Sequence, residues 1–206
     1  LIKMSVDDKN VQDLMKKLVQ RSKTLRPFFV VAKTVLDRST MKTFREQGRP
    51  VKWTQLAPFT VASRSAEGTM KGSPILQRYG TLRQSIGTEV LEIGQNYMMY
   101  GTKQVKAAML QFGGTIRPKH GKYLALPFPR VSGRPRDYEN TFVPKGKRVI
   151  FQNLGGGKIR PLFLLKSSVT IPPRPYLVFQ EEDIVELATY LAVFCSDPKA
   201  YLKLGE

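Results

Sequence analysis

The chain has 206 residues, 41% hydrophobic and 10% aromatic, which suits one domain with a real core and argues against wholesale disorder. Its net charge is +18, from 34 Lys and Arg against 16 Asp and Glu, and implies a polyanionic neighbour or a strongly acidic partner surface. One cysteine (Cys195) and one histidine (His120) support neither an intramolecular disulfide nor a Cys-based zinc site, and no apolar run reaches the ~20 residues that span a bilayer.

The opening Leu1-Ile2-Lys3-Met4 does not read as a secretory leader. Val11, Leu14, Met15, Leu18 and Val19 form a helical stripe, with Asp7 and Asp8 placed where a helix N-terminus favours anions. Thr24 is suited to cap a second helix, with Pro27 in its first turn. This helix runs through Leu25, Phe28, Phe29, Ala32, Val35 and Leu36 to Phe44 and stops at Gln47-Gly48-Arg49-Pro50. Val51 to Gly72 has no regular period, and Trp53, Leu56 and Phe59 are expected to pin it to the core. Leu82–Ile86 and Val90–Ile93 read as a strand pair, or as a strand pair with a helical lead-in.

A central helix is expected over 102–112. Val105, Ala108, Met109 and Phe112 fall at i, i+3, i+4 and i+7, Thr102 is placed to cap it, and Gly113 and Gly114 close it. Its opposite face would show Lys103 and Lys106 to solvent. Strands follow near Ile116, at Tyr123–Phe128, at Arg148–Gln152 and at Lys158–Val169, with Gly155-Gly156-Gly157 as the hairpin tip between the last two. After Ile171-Pro-Pro-Arg-Pro-Tyr176 a last helix spans 180–195. Its stripe is Ile184, Leu187, Ala188, Leu191 and Phe194, and Glu181, Glu182 and Asp183 stand in its first turn. Cys195 reads as a buried small hydrophobe near that helix end, and the tail from Asp197 as a short loose extension. The pattern describes a single domain, 1–206. It has a helical part at 1–48 and a sheet-rich core at 75–178, the core holding helix 102–112 and a long loop at 128–148. The fold class is α+β, with N-terminal, central and C-terminal helices on a mainly antiparallel sheet.

The charge is unevenly placed. Residues 101–175 carry 15 Lys and Arg against 2 Asp and Glu, whereas 176–206 carry 2 against 6. Arg130, Arg134, Arg136, Lys145, Lys147 and Arg148 lie in or beside the long loop, which reads as an arm toward a neighbouring subunit or a finger facing nucleic acid. With Lys103 and Lys106 they are the candidates for a DNA channel or an interface. Tyr123, Phe128, Tyr138 and Phe142 interleave with these cations and suit either base stacking or core packing.

Catalysis is not expected. His120 sits in a cationic turn, carboxylates are sparse, and Gly155-Gly156-Gly157-Lys158 lacks the Ser/Thr and the helix that a phosphate loop requires. Neither a cofactor nor a metal is expected.

In their joint order, several segments resemble the bacteriophage virion morphogenesis (tail-completion) family. They are Gly48-Arg-Pro-x-x-Trp53-x-x-Leu56 with Thr60, Ile75-Leu76-Gln77-x-x-Gly80-x-Leu82-x-x-Ser85-Ile86, and Tyr100 followed by Leu110-Gln111-Phe112-Gly113-Gly114. Leu162-Phe-x-Leu-x-x-Ser-x-x-Ile171-Pro172-x-Arg174-Pro175-x-Leu177 closes the pattern. The resemblance covers roughly residues 30–195, and departs at Leu110, where members often have His.

The resemblance implies a non-enzymatic virion protein of the head–tail junction, a tail terminator or neck part assembled in the host cytoplasm. It would form a homo-oligomeric ring of six or twelve copies that completes the tail or joins it to the head connector. Its partners would be itself, the adjoining neck, portal and tail-tube proteins, and passing double-stranded DNA, with no membrane. Trp53, Gln111, Phe112, Gly113, Gly114, Pro172, Arg174 and Pro175 match motif positions and would shape the fold. Arg174 is also expected to pair with an acidic group in cis or across an interface. The segment 176–206 would meet the basic middle of an adjacent copy. The alternative is a sequence-nonspecific nucleic-acid-binding protein of the ribonucleoprotein type.

Overall fold

A computed structural model describes residues 9–66 and 74–196. Asp7, Asp8 and the tail from Asp197 lie outside the described residues. The fold is α+β with antiparallel sheets, as expected, and the strands divide among three sheets. The chain folds as two compact units, one drawn from Leu1–Val51, Thr81–Gln104 and Tyr176–Glu206, the other from Lys52–Gly80 and Val105–Pro175. Among the described residues no helix is long and apolar enough to cross a membrane.

The first unit holds helices α1 (Lys9–Ser22) and α2 (Arg26–Arg45), a short helix over Thr81–Ser85, the ribbon Val90–Ile93/Met98–Gly101, and the late helix Glu181–Ser196. Both α1 and α2 pack on the late helix. Helix α2 is the expected long element, but Thr24 does not cap it. The cap position is Leu25, whose N–H donates to the Gln95 carbonyl in the ribbon's turn (2.6 Å), with Pro27 in the first helical turn. Ala32, Val35 and Phe44 are buried, and the Phe44 ring lies 5.8 Å from that of Tyr176. Burying each large apolar side chain contributes about 1.5–3 kcal/mol. Thr81–Ser85 is helical, which settles the choice between a strand and a helical lead-in; Leu82 and Ile86 are buried there.

The late helix presents a different face from the expected one. Asp183 and Phe194 are buried, with Leu187 and Tyr190 half-buried, while Ile184, Val185, Ala188 and Leu191 are exposed. The rotation follows from a polar network. Asp183 Oδ2 accepts the Ser39 hydroxyl (2.5 Å) and the Gln180 N–H (2.9 Å), and so turns its face of the helix inward. Arg49, itself buried, donates to Thr43 Oγ1, to the oxygens of Ser39 and to Glu182 (2.5 Å). Buried ions require such partners. Cys195 is half-buried in the helix's last turn, and its carbonyl accepts the Arg21 guanidinium. On α1, Met15 and Val19 remain exposed, so that stripe is covered only in part.

Two carboxylates of this unit are held below their ordinary value, Glu182 chiefly by the Lys42 ammonium and then Arg49, and Glu89 chiefly by the Thr102 hydroxyl and then the Lys103 N–H. A depressed carboxylate contributes stability above its unfolded pKa and loses it as pH falls through the lower, folded value. The urea midpoint should therefore fall on acidification below the ordinary glutamate range. Glu182→Gln should flatten that dependence in a titration followed by circular dichroism.

The second unit contains the helix Pro58–Ala66, the short helix Ala107–Phe112, and two sheets. In chain order the remaining helices are α3 (Pro58–Ala66), α4 (Thr81–Ser85), α5 (Ala107–Phe112) and α6 (Glu181–Ser196), and the strands run from β1 (Val90–Ile93) and β2 (Met98–Gly101) to β8 (Val169–Ile171). In the small sheet β3 (Gly114–Ile116) pairs with β8. In the large one β4 (Leu124–Pro127), β7 (Ile159–Lys166), β6 (Val149–Asn153) and β5 (Thr141–Phe142) lie in that order. The expected strand Lys158–Val169 is thus two strands, broken at Ser167-Ser168, that serve different sheets. A β-bulge between Ile150/Phe151 and Pro161–Phe163 lets the neighbours Leu162 and Phe163 both be buried, and accommodates Pro161, which has no N–H to donate. Gly155, Gly156 and Gly157 all have positive φ and form the expected tip between β6 and β7.

Two expectations fail in this unit. Helix α3 occupies part of a stretch read as irregular; Pro58 opens it, and it buries no residue fully, so it left no apolar stripe to detect. The central helix spans 107–112, not 102–112. Residues 102–104 are held instead by Glu89, which accepts the Thr102 hydroxyl (2.9 Å), the Lys103 N–H (2.9 Å) and the Gln104 amide (3.3 Å). Thr102 therefore does not cap the helix. Lys106 takes the cap position, without a side-chain bond.

Candidate nucleic-acid and assembly interface

The charge separates with the fold. The second unit holds 18 Lys and Arg against three Asp and Glu, and the first 16 against 13, so nearly all of the net charge belongs to one unit. Of the eight cations singled out above, Lys106, Arg130, Arg134, Arg136, Lys145, Lys147 and Arg148 belong to the second unit and Lys103 to the first. All eight are exposed. Lys103 and Lys106 do not share a helix face, because both precede the first residue of α5.

The segment 128–148 is long, basic and tied down. The Phe128 N–H donates to the Leu162 carbonyl (2.9 Å), extending β4, and its ring meets Phe59 of α3 edge-on at 5.5 Å. A 3-10 turn at Pro135–Asp137 follows, where Asp137 Oδ2 accepts the Arg134 N–H (2.7 Å). The Tyr138 hydroxyl donates to the Ser132 carbonyl (2.7 Å), and its ring packs on Phe163 at 5.8 Å. Strand β5 then returns the chain to the sheet edge. The Arg130 guanidinium donates to the Ala66 carbonyl (3.2 Å). These bonds hold the backbone so that the Arg134, Arg136, Lys145 and Lys147 side chains project into solvent. Of the four interleaved aromatics, Phe128 and Tyr138 are engaged in packing. Tyr123 lies under the Arg148 guanidinium at 5.8 Å and Phe142 stacks on Phe151 at 6.0 Å, both partly exposed.

The sequence motifs converge on one feature of the second unit. Gly114 pairs with Ile171, and the Arg174 N–H donates to the Leu110 carbonyl (2.9 Å), so Gln-Phe-Gly-Gly and Ile-Pro-x-Arg-Pro lie side by side. The Trp53 indole N–H donates to the Pro175 carbonyl (2.8 Å), and the Arg174 guanidinium donates to the carbonyls of Thr54 (3.1 Å) and Gln55 (3.3 Å). Three segments separated by up to 122 residues are thus joined, the first to the third by side-chain donors on main-chain carbonyls and the second to the third by main-chain bonds. A family model for phage virion morphogenesis matches residues 6–193. The chain belongs to the phage virion morphogenesis family. No curated protein and no solved structure matches it.

Within this virion morphogenesis protein the motif residues separate by environment. Trp53 and Arg174 are buried, Gln111, Gly113 and Pro172 are half-buried, and Gly114, Pro175 and Phe112 are exposed. Arg174 corrects an expectation. At 6% exposure its partners are two backbone carbonyls, where an acidic group was expected, and burial lowers its pKa. The expected buried stripe of the central helix is also corrected. Met109 is half-buried, but Val105 is fully exposed, Ala108 is exposed and Phe112 is 77% exposed, so most of the stripe faces outward.

The residues missed from sequence are Arg49, Ser39 and Asp183. Their signal was present in Gly48-Arg-Pro and in the acidic first turn of α6, which reads as a dipole effect until the burial of Asp183 is seen. His120 stands on an exposed turn.

Proposed function

We propose that this structural virion protein acts at the head–tail junction. It forms a ring of identical subunits that completes the tail or joins it to the head connector, and packaged double-stranded DNA passes through that ring. Membership of the virion morphogenesis family supports the structural role. The single observation that carries the DNA reading is the second unit, with 18 cations against three anions. A surface of this kind offsets phosphate charge without reading bases, as a passage for any sequence requires. The arm 128–148 supplies the exposed cations for the channel or for a neighbouring subunit.

The deciding experiment is the mass of the purified chain together with negative-stain images at low and high salt. Closed rings are the expected result. A monomer that binds free DNA or RNA tightly at moderate salt would favour the ribonucleoprotein-like alternative. For DNA contact itself, the logarithm of affinity should fall linearly with the logarithm of salt concentration, by about 0.9 per phosphate neutralised. Replacing both Arg134 and Arg136 by alanine should weaken binding equally across sequences and reduce the slope by about 2. Sequence-dependent losses would contradict a phosphate-only surface.

A further inference from the structure

Two apolar helical stripes predicted to lie in the core are exposed over much of their length. The first runs from the turn before α5 onto that helix, where Val105, Ala108 and Phe112 stand in solvent, beside the cation Lys106. The second is on α6. Ile184 and Val185 are 57% and 63% exposed, Ala188, Leu191 and Ala192 continue the same face, and Glu181 stands at its start. Helix α6 carries four acidic residues and no basic one. It is apolar on its outward face as well as its inward one, the composition of a helix covered on both sides. Aromatic side chains, Phe among them, are enriched at the cores of protein–protein interfaces.

We infer that the α5 stripe of one copy docks on the outward face of α6 of the next. The inference rests on the self-assembly reading above and names the surfaces that reading uses. Three observations select a second copy as the occupant. Both stripes are apolar and exposed among the described residues, so each offers the other a surface to bury. The exposed charges that flank them are opposite, Lys106 beside the α5 stripe and Glu181 at the start of the α6 face, and the unit that holds α5 carries 18 cations against three anions. And every chain brings one of each, so the contact is heterologous and propagates from copy to copy.

The test uses the full chain in sedimentation equilibrium. Phe112→Glu and Ala188→Glu each place a charge at an already exposed site, and unchanged thermal melting checks that both variants fold. Each variant alone should self-associate about 100-fold more weakly than the wild type. An equimolar mixture should recover association and stop at dimers, because it retains one intact α5 stripe and one intact α6 face. Association that survives either substitution overturns the inference, and so does a mixture that stays monomeric. If the wild type itself sediments as a monomer, chains carrying Phe112→Cys and Leu191→Cys, both with Cys195→Ser, are mixed and oxidised. A disulfide-linked heterodimer upholds the contact and its absence overturns it. The ring reading fails separately: closed rings that survive both substitutions overturn this contact alone, whereas open filaments abolished by both overturn the ring and keep the contact.

Discussion

Gly113→Ala is expected to lower stability by about 2–6 kcal/mol, read as a shift in the urea midpoint at constant slope. Gly113 has φ 72° and ψ −176°, a region that essentially only glycine occupies, and forcing another residue there costs about 1–3 kcal/mol. The second part of the loss is steric. A Cβ at this position would stand 2.7 Å from the Pro173 nitrogen and 2.9 Å from the Ile171 carbonyl oxygen. Both are main-chain atoms on the rigid Ile-Pro-Pro run, so no flexible side chain can yield. Relief would require moving β8 away from β3, where Gly114 pairs with Ile171, and overpacking of this kind costs about 1–3 kcal/mol more. A midpoint unchanged in Gly113→Ala would mean that this crossing is plastic and that the glycine is there for another reason.

Arg174→Ala is expected to cost about 2–4 kcal/mol, with the loss appearing in stability before it appears in any assembly assay. The guanidinium is buried and donates to two carbonyls, of Thr54 and Gln55, that belong to the segment leading into α3. Hydrogen bonds from a charged donor are worth about 1.5–3 kcal/mol, and the truncation removes the donor from both carbonyls at once. Arg174→Lys should recover only part of the loss. A single ammonium cannot span the two carbonyls as the planar fork does. If Arg174→Ala melted like the wild type and failed only in assembly, the residue would belong to an interface after all.

The long elements were legible because their signals are local. Helix α2 announces itself by period and by Pro27, and the β6–β7 hairpin by three consecutive glycines. What failed has one physical root. A helical period reports that a face is apolar, but not what covers it. Val105, Ala108 and Phe112 satisfy the period and are exposed, and on α6 the same ambiguity was resolved by Asp183, whose bond to Ser39 crosses 144 residues. Arg174 was misread for a similar reason. Counting charges directs attention to carboxylates, whereas its acceptors are main-chain oxygens that every residue carries. The joint order of the motifs was visible in the sequence; that Trp53 and Arg174 latch them together needed the coordinates.

The interleaving of the two units along the chain sets an order on their completion during synthesis. Every segment of the second unit has been made once Pro175 is added, whereas the first still lacks α6. At translation speeds of about 5–20 residues per second, the remainder of that helix follows some 1–4 s later. Until then Arg49 and Ser39 wait on a nascent chain without the carboxylates of Glu182 and Asp183, and Phe194 is missing from the core. The helical unit is therefore closed by its last piece. A product interrupted before Glu181 would hold every segment of the cationic unit and leave the helical unit without α6.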